Sequence, residues 1–317
     1  MIVTKDLTKQ YGNFIAVDKV NLNIQPGEIY GFLGPNGAGK TSTIMMLLGI
    51  ISPTSGEIEL FGERYTPSRL DLRKRIGVVP EKHPVGMWAW MTAVEYLKFF
   101  ADMFVVENAE DRIMNLLSQV NLADVANKKI SEFSRGMLQK LSIVRALLHD
   151  PDILFLDEPI SGLDPIGIKQ VRDLIISENR EGRTIFVSSH LLSEMEKICH
   201  RVAIIFRGKL MAEDRMDKLL LKLSRDREIH IDLEEIPEGI VENIRKLDFV
   251  IDVSTEKNRL KIKVPKEGDY RKNLSEFLIK RNLIPIQLKE RSISLEEAFV
   301  TITQDNVEML AGVGGEA

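Results

Sequence analysis

The chain has 317 residues, 28% charged and 44% hydrophobic, with a net charge of −4. That balance suits a globular protein with room for two domains, and it supplies no global basic field to draw the chain to nucleic acid or anionic lipid. The single cysteine, Cys199, excludes an intramolecular disulfide and suits a reducing cytosol.

The first residues, Met1 to Asp6, carry charge where a signal peptide needs an apolar run. The most apolar stretches, such as Ile44 to Ile51, are too short to span a bilayer. Any work at a membrane therefore needs another subunit for the span. Alternating strands are expected at Ile2 to Thr4, Phe14 to Val17 and Val20 to Ile24. Gly12-Asn13 is turn chemistry, which puts Tyr11 at a hairpin. Its ring can stack on a base, although an aromatic at a strand end is ordinary by itself.

Glu28 to Leu33 reads as a strand, and Thr43 to Leu48 as a helix. Between them lies Gly34-Pro35-Asn36-Gly37-Ala38-Gly39-Lys40-Thr41, followed by Ser42. The pattern Gly-x-x-x-x-Gly-Lys-Ser/Thr between strand and helix is a phosphate-binding loop. Its glycines let successive N–H groups point into one concavity, and the helix adds its positive end. Lys40 offers a mobile charge to terminal phosphates, and Thr41 a hydroxyl to Mg²⁺.

Ile76 to Pro80 reads as a short buried strand, with Glu81 next. From Thr92 to about Lys129 the pattern is helical: Val94, Tyr96, Leu97, Phe100 and Met103 fall mostly on one face. Ser134-Arg135-Gly136 opens a further helix. Ile153 to Leu156 is a continuous apolar run ending in Asp157 and Glu158, as expected of a strand inside a parallel sheet. Carboxylates at that end lie on the ligand edge of such a sheet, where a phosphate loop needs an aspartate for its metal. A helix is expected over Ile168 to Glu178, then a buried strand, Thr184 to Ser189, with His190 at its exit. His190 is a candidate phosphate contact. Arg201 to Phe206 reads as the last core strand.

The pattern changes near Ser224 to Arg227. Beyond it the order is β-α-β-β-α-β, the ferredoxin-like order, with a last helix opened by the capping-box spacing of Ser294 and Glu297. An RNA-binding module shares this order but needs stacking aromatics on its middle strands. Here those places hold Glu228, His230 and Asp232, and Arg259, Lys261 and Lys263. A docking or dimerisation domain is the better reading, and no nucleic-acid partner is expected.

Taken in order, these stretches resemble the nucleotide-binding subunit of an ATP-binding cassette (ABC) transporter, over residues 1 to about 220. Ser161-Gly162-Leu163-Asp164-Pro165 resembles the family's dimer-interface loop. Phe133 to Gln139 is similar to its signature, usually Leu-Ser-Gly-Gly-Gln; it departs at three of those five places and keeps Ser134 and Gly136. The tail domain more weakly resembles the C-terminal extension of the ABC-2 export branch.

The resemblance implies an α/β P-loop core over 1–225, with an antiparallel β subdomain and an inserted helical subdomain at about 92–150. A C-terminal ferredoxin-like accessory domain would cover 226–304, and a flexible tail 305–317. It implies ATP and Mg²⁺ as ligands. Residues Gly34 to Ser42 would hold phosphate, Tyr11 would stack on adenine, and Thr41, Asp157 and Glu81 would serve the metal. At Glu81 the family most often has glutamine. Glu158 would be the general base, with Lys40 and His190 on the γ-phosphate. Ser134, Gly136 and Asp164 would reach the nucleotide of a second subunit packed head to tail. The implied partners are membrane permease subunits and a second cassette, with a homodimer expected. The implied place is the cytoplasmic face of the membrane, as a peripheral subunit. A soluble cassette ATPase acting outside transport would show a long coiled-coil insertion or a second cassette, and neither is in the sequence.

Overall fold

The computed structural model describes residues 1–81, 85–223, 226–291 and 294–300. The chain divides into two compact units, Met1–Met216 and a second that begins at Asp217. The spatial division precedes the 225/226 boundary read from the sequence, because the helix Met216–Leu223 follows directly on a strand and goes with the second unit. Residues 224–225 and the tail 305–317 lie outside the described residues.

The first unit contains two sheets. One is antiparallel, in the order Phe14–Val20, Ile2–Tyr11, Ser55–Leu60, Glu63–Arg64, with Asn23–Ile24 also paired to Ile2–Tyr11. The strand Ile2–Tyr11 is longer than its alternation suggests, because it has partners along both edges. Gly12-Asn13 turns it into Phe14–Val20, and Tyr11 pairs with Phe14.

The other sheet runs Lys209–Arg215, Arg201–Phe206, Ile29–Leu33, Thr184–Ser189, Ile153–Asp157, Ile76–Val79. All neighbours are parallel except the edge strand Lys209–Arg215, which is antiparallel. That strand is half-exposed and polar, so its sequence carries no run of buried positions. Ile29–Leu33 and Thr184–Ser189 are buried at every position, as interior parallel strands must be. Phe186 anchors the centre, its ring centroid 5.9, 5.4 and 5.3 Å from those of Tyr30, Phe32 and Phe155.

Register places the strand ends level. Leu33 lies opposite Ser189, Asp157 opposite Ser188, and Val79 opposite Leu156. The phosphate loop, Glu158, His190 and Glu81 therefore all leave one edge of the sheet. Gly31 sets the spacing beneath it: a Cβ there would sit 2.8 Å from Cys199 Sγ and 2.9 Å from Val202 Cγ1, both on buried residues. Gly31→Ala should therefore overpack the core and cost about 1–3 kcal/mol. Thermal unfolding checks this, and Cys199→Ala in the same chain should recover part of the loss; an unchanged midpoint would refute it.

The helical portion comprises Ala93–Phe104, Ala109–Gln119 and Arg135–Leu147. Thr92 and Glu95 form a full capping box at the first. Its buried face is Ala93, Tyr96, Leu97 and Ala101. Met103, expected on that face, is 64% exposed, because the helical period carries it to the flank. Val105 and Asn108, both with positive φ, separate the first two helices. The helical region from Thr92 onward is thus built of two helices with a sharp joint between them.

The second unit has a four-stranded antiparallel sheet in the order Asp252–Glu256, Arg259–Pro265, Asp226–Asp232, Gln287–Arg291. The helices Ile240–Arg245 and Arg271–Ile279 supply Ile240, Ile244, Leu274 and Leu278 to a core with Ile229, Ile231, Leu260 and Ile262. Alternate residues form a polar face, where Arg259 bonds Asp232 at 2.6 and 2.9 Å. The capping box of the last helix forms: Ser294 N–H donates to Glu297 at 3.0 Å, and Glu297 N–H to Ser294 Oγ at 3.2 Å. Among the described residues, no helix is long and apolar enough to cross a membrane.

Candidate active site

Tight contacts dictate the shape of the phosphate loop. Gly39 has φ 109 and caps the helix Lys40–Leu47; a Cβ there would lie 2.5 Å from Ala16 O. No other residue type fits that conformation and that space. Lys40 is buried at 7% exposure, and its ammonium donates to Gly34 O at 2.6 Å and Pro35 O at 3.4 Å. Burial pushes the Lys40 ammonium below its usual value, against the opposing pull of Glu158, Asp157 and Glu81. A charged amine bonded only to carbonyls is poised to accept a stronger, anionic partner.

Two carboxylates face it from the end of Ile153–Asp157. Burial raises the Asp157 carboxyl above the ordinary range; the Ser188 hydrogen bond pulls it down and the charge of Glu81 pushes it up. Ser188 Oγ donates to Asp157 Oδ1. Glu158 is buried and has φ 51, an uncommon conformation for its type. Its N–H donates to Ser188 O at 3.1 Å and Ser188 Oγ at 3.3 Å. Its Oε2 lies 2.7 Å from His190 Nδ1 and accepts from His190 N–H at 3.3 Å. Ser188 thus aims both acids, and Glu158 aims the imidazole.

These groups line one cleft of about 440 Å³, together with Tyr11, Phe14, Ala16, Pro35, Asn36, Gly37, Gly39, Thr41, Ser42, Glu81 and Ser161. The volume suits a nucleotide-sized ligand. Tyr11 stands at the rim, with Lys9 Nζ 5.1 Å from its ring centroid. Gly34 and Ala38 lie buried behind the lining: a Cβ at Gly34 would meet Ile205 O at 2.4 Å. Of the residues expected from the sequence, Ser134, Gly136 and Asp164 are not part of this lining. Ser134 Oγ caps Arg135–Leu147 by accepting from Met137 N–H at 3.3 Å. Asp164 Oδ1 caps Pro165–Arg180 by accepting from Gly167 N–H at 2.8 Å.

Phe14, Ala16, Ser161 and Ser188 join the site without being expected there from the sequence. Phe14 has a signal, since a two-residue turn after Tyr11 makes it the cross-strand partner of that ring. Ser188 has none, because its role depends on parallel register with Asp157.

The loop, the paired acids and the histidine at one sheet edge, with a helical insertion, define an ATP-binding cassette. The comparisons agree. The ABC transporter family model matches residues 17–161. The bacitracin transport ATP-binding protein BcrA of Bacillus licheniformis is 49% identical over 69% of this chain and 71% of its own. An uncharacterized ABC transporter ATP-binding protein of Bacillus subtilis, YcbN, is 34% identical over 96% and 98%. A lantibiotic transport ATP-binding protein of Streptococcus pyogenes, SrtF, is 40% identical over 68% and 92%. Among solved structures, an ATP-binding subunit of an ABC transporter superposes with a TM-score of 0.65 at 28% identity, covering 70% of this chain and 92% of that one. A dimeric post-hydrolysis cassette bound to ADP and phosphate gives 0.61 at 26% identity, covering 68% and 99%.

The chain belongs to the family of ABC transporter ATP-binding proteins. It is an ATPase subunit of a transporter, and its core has the P-loop fold of that family.

Proposed function

We propose that the cleft binds Mg·ATP and hydrolyses it in a head-to-tail pair of this chain, driving export through separate membrane permease subunits from the cytoplasmic face. The observation that carries this reading is the convergence of Lys40, Asp157, Glu158 and His190 on the phosphate loop. Lys40 and the loop N–H groups hold the β- and γ-phosphates, and Tyr11 stacks on the adenine. Glu158 accepts the proton of the attacking water. His190 keeps Nδ1 on Glu158, which leaves Nε2 for the γ-phosphate.

The donor set fits Mg²⁺. Thr41, Asp157 and Glu81 offer hard oxygens in the lining of the cleft. Among the described residues no cluster of three or more acidic, histidine or cysteine side chains could hold a metal alone. That suits an ion whose remaining ligands are phosphates and water. When bound, it neutralises phosphate charge. Glu81→Gln should keep turnover but alter its Mg²⁺ dependence, and Glu81→Ala should slow it. Rates measured against Mg²⁺ decide this; three superimposable curves would remove Glu81 from the metal.

Ser134, Gly136 and Asp164 serve the nucleotide of the second copy, which is consistent with their place outside the protomer's own cleft. The second unit is a ferredoxin-like accessory domain for docking or dimerisation. Met87 and Trp90 are 69% and 68% exposed, while Trp88 packs on Tyr96, Phe99 and Phe100. The exposed pair supports an apolar patch for a short helix of the permease. The likeness to bacitracin and lantibiotic transport proteins supports a peptide antibiotic as the class of cargo. Affinity purification of the tagged chain from detergent-extracted membranes tests the assembly. An integral membrane protein should co-purify in fixed ratio; recovery of the chain alone from the soluble fraction would contradict it.

A further inference from the structure

The strand that delivers Glu81 to the cleft is held from outside the sheet. Ile76–Val79 is an edge strand, and among the described residues it pairs with Ile153–Asp157 alone. Ile76 O and Val78 O, two residues apart, point the same way along it, and both meet a side chain. Arg145 Nη2 donates to Val78 O at 3.0 Å. His149 Nε2 lies 3.1 Å from Ile76 O. A carbonyl only accepts, so that nitrogen carries the proton. Arg145 is in the last turn of the helix Arg135–Leu147, and His149 is just past it. Gly77, between the two carbonyls, lets the helix lie directly on the strand. A Cβ there would meet Ala146 O at 2.4 Å and Leu154 Cδ2 at 2.6 Å.

The other arm of the guanidinium is fixed as well. Arg145 Nη1 donates to Tyr96 Oη at 3.2 Å, and its Cζ stands 5.4 Å from the Phe100 ring centroid. Tyr96 is itself buried, its ring centroid 5.0 Å from that of Phe100 and 6.0 Å from that of Trp88. A planar fork bonded at both arms has little freedom left. On the strand side only Val79 and Pro80 separate Val78 from Glu81. Val79 is fully buried, and the ring of Pro80 fixes its own φ. Little slack therefore remains between the guanidinium and the carboxylate that lines the cleft. Water could satisfy a carbonyl at a sheet edge, so what the arginine adds is a fixed position. We propose that Arg145 is a positioning residue for the metal side of the cleft: by holding Val78 O it sets where the Glu81 carboxylate stands. This rests on the reading of Glu81 as a metal ligand given above. Arg145 acts as outer-shell groups do at metal sites, by denying a ligand the freedom to drift.

The test uses the full chain carrying Glu158→Gln, so that ATP persists. Mn²⁺, which takes the same oxygen ligands as Mg²⁺, is titrated into the ATP-bound chain, and the free ion is read by electron paramagnetic resonance. Adding Glu81→Ala should weaken Mn²⁺ binding. Adding Arg145→Met instead should weaken it about 10-fold. Arg145→Lys, which cannot fork between Val78 O and Tyr96 Oη, should shift it in the same direction but less. Once Glu81→Ala is present, Arg145→Met should change Mn²⁺ binding no further. ATP binding in EDTA should be equal in all these chains. Thermal unfolding identifies any chain that has lost its fold, and if Arg145→Met is one, Arg145→Lys carries the same comparison. If Glu81→Ala weakens Mn²⁺ binding and the Arg145 change does not, the positioning role alone is overturned. An Arg145 effect of equal size with and without Glu81→Ala overturns it too, since a generally loosened helix would act that way. If Glu81→Ala leaves Mn²⁺ binding unchanged, Glu81 is no metal ligand and the positioning role falls with that reading.

Discussion

Glu158→Gln should cut ATP turnover by roughly 10²-fold or more while leaving ATP binding intact. Glutamine keeps the length and shape of the side chain but cannot take a proton from water. The geometry makes Glu158 the acid for this role. It is buried, it bonds His190 at 2.7 Å, and it stands in the cleft with Lys40. Asp157, its neighbour, accepts from Ser188 Oγ. The amide can still accept from His190, so the histidine stays in place and the loss is confined to chemistry. Steady-state phosphate release checks the rate, and equilibrium binding of ATP checks the rest. Turnover at the parent rate would remove Glu158 as the base.

Lys40→Ala should abolish tight ATP binding. Its ammonium sits inside the loop, bonded to Gly34 O and Pro35 O. Removing it leaves Asp157, Glu158 and Glu81 facing the phosphates without their counter-charge. Charge-assisted bonds of this kind carry about 1.5–3 kcal/mol each, so removing the partner of two phosphate oxygens weakens binding by about two to four powers of ten. Calorimetric titration with Mg·ATP measures it. Parent-like affinity would mean that the loop N–H groups suffice.

Much of this site is legible in the sequence because its parts are local. The phosphate loop is contiguous, and the apolar strands announce their own ends at Leu33, Asp157 and Ser189. Asp164-Pro165 is a cap followed by proline at the first helical position, a start signal by rule, although apolar periodicity alone starts that helix at Ile168. What stays hidden depends on register and packing. Ser188 becomes a positioning residue only because it lies opposite Asp157. The edge strand Lys209–Arg215 is held by pairing with Arg201–Phe206, and its apolar run is only Leu210 to Ala212, between charged ends.

The most direct single measurement is the molar mass of the Glu158→Gln chain by light scattering in Mg·ATP and in Mg·ADP. An ATP-loaded, hydrolysis-blocked cassette that pairs head to tail should show twice the 36.0 kDa of one chain in ATP and one chain in ADP. The mass of one chain in both nucleotides would contradict it.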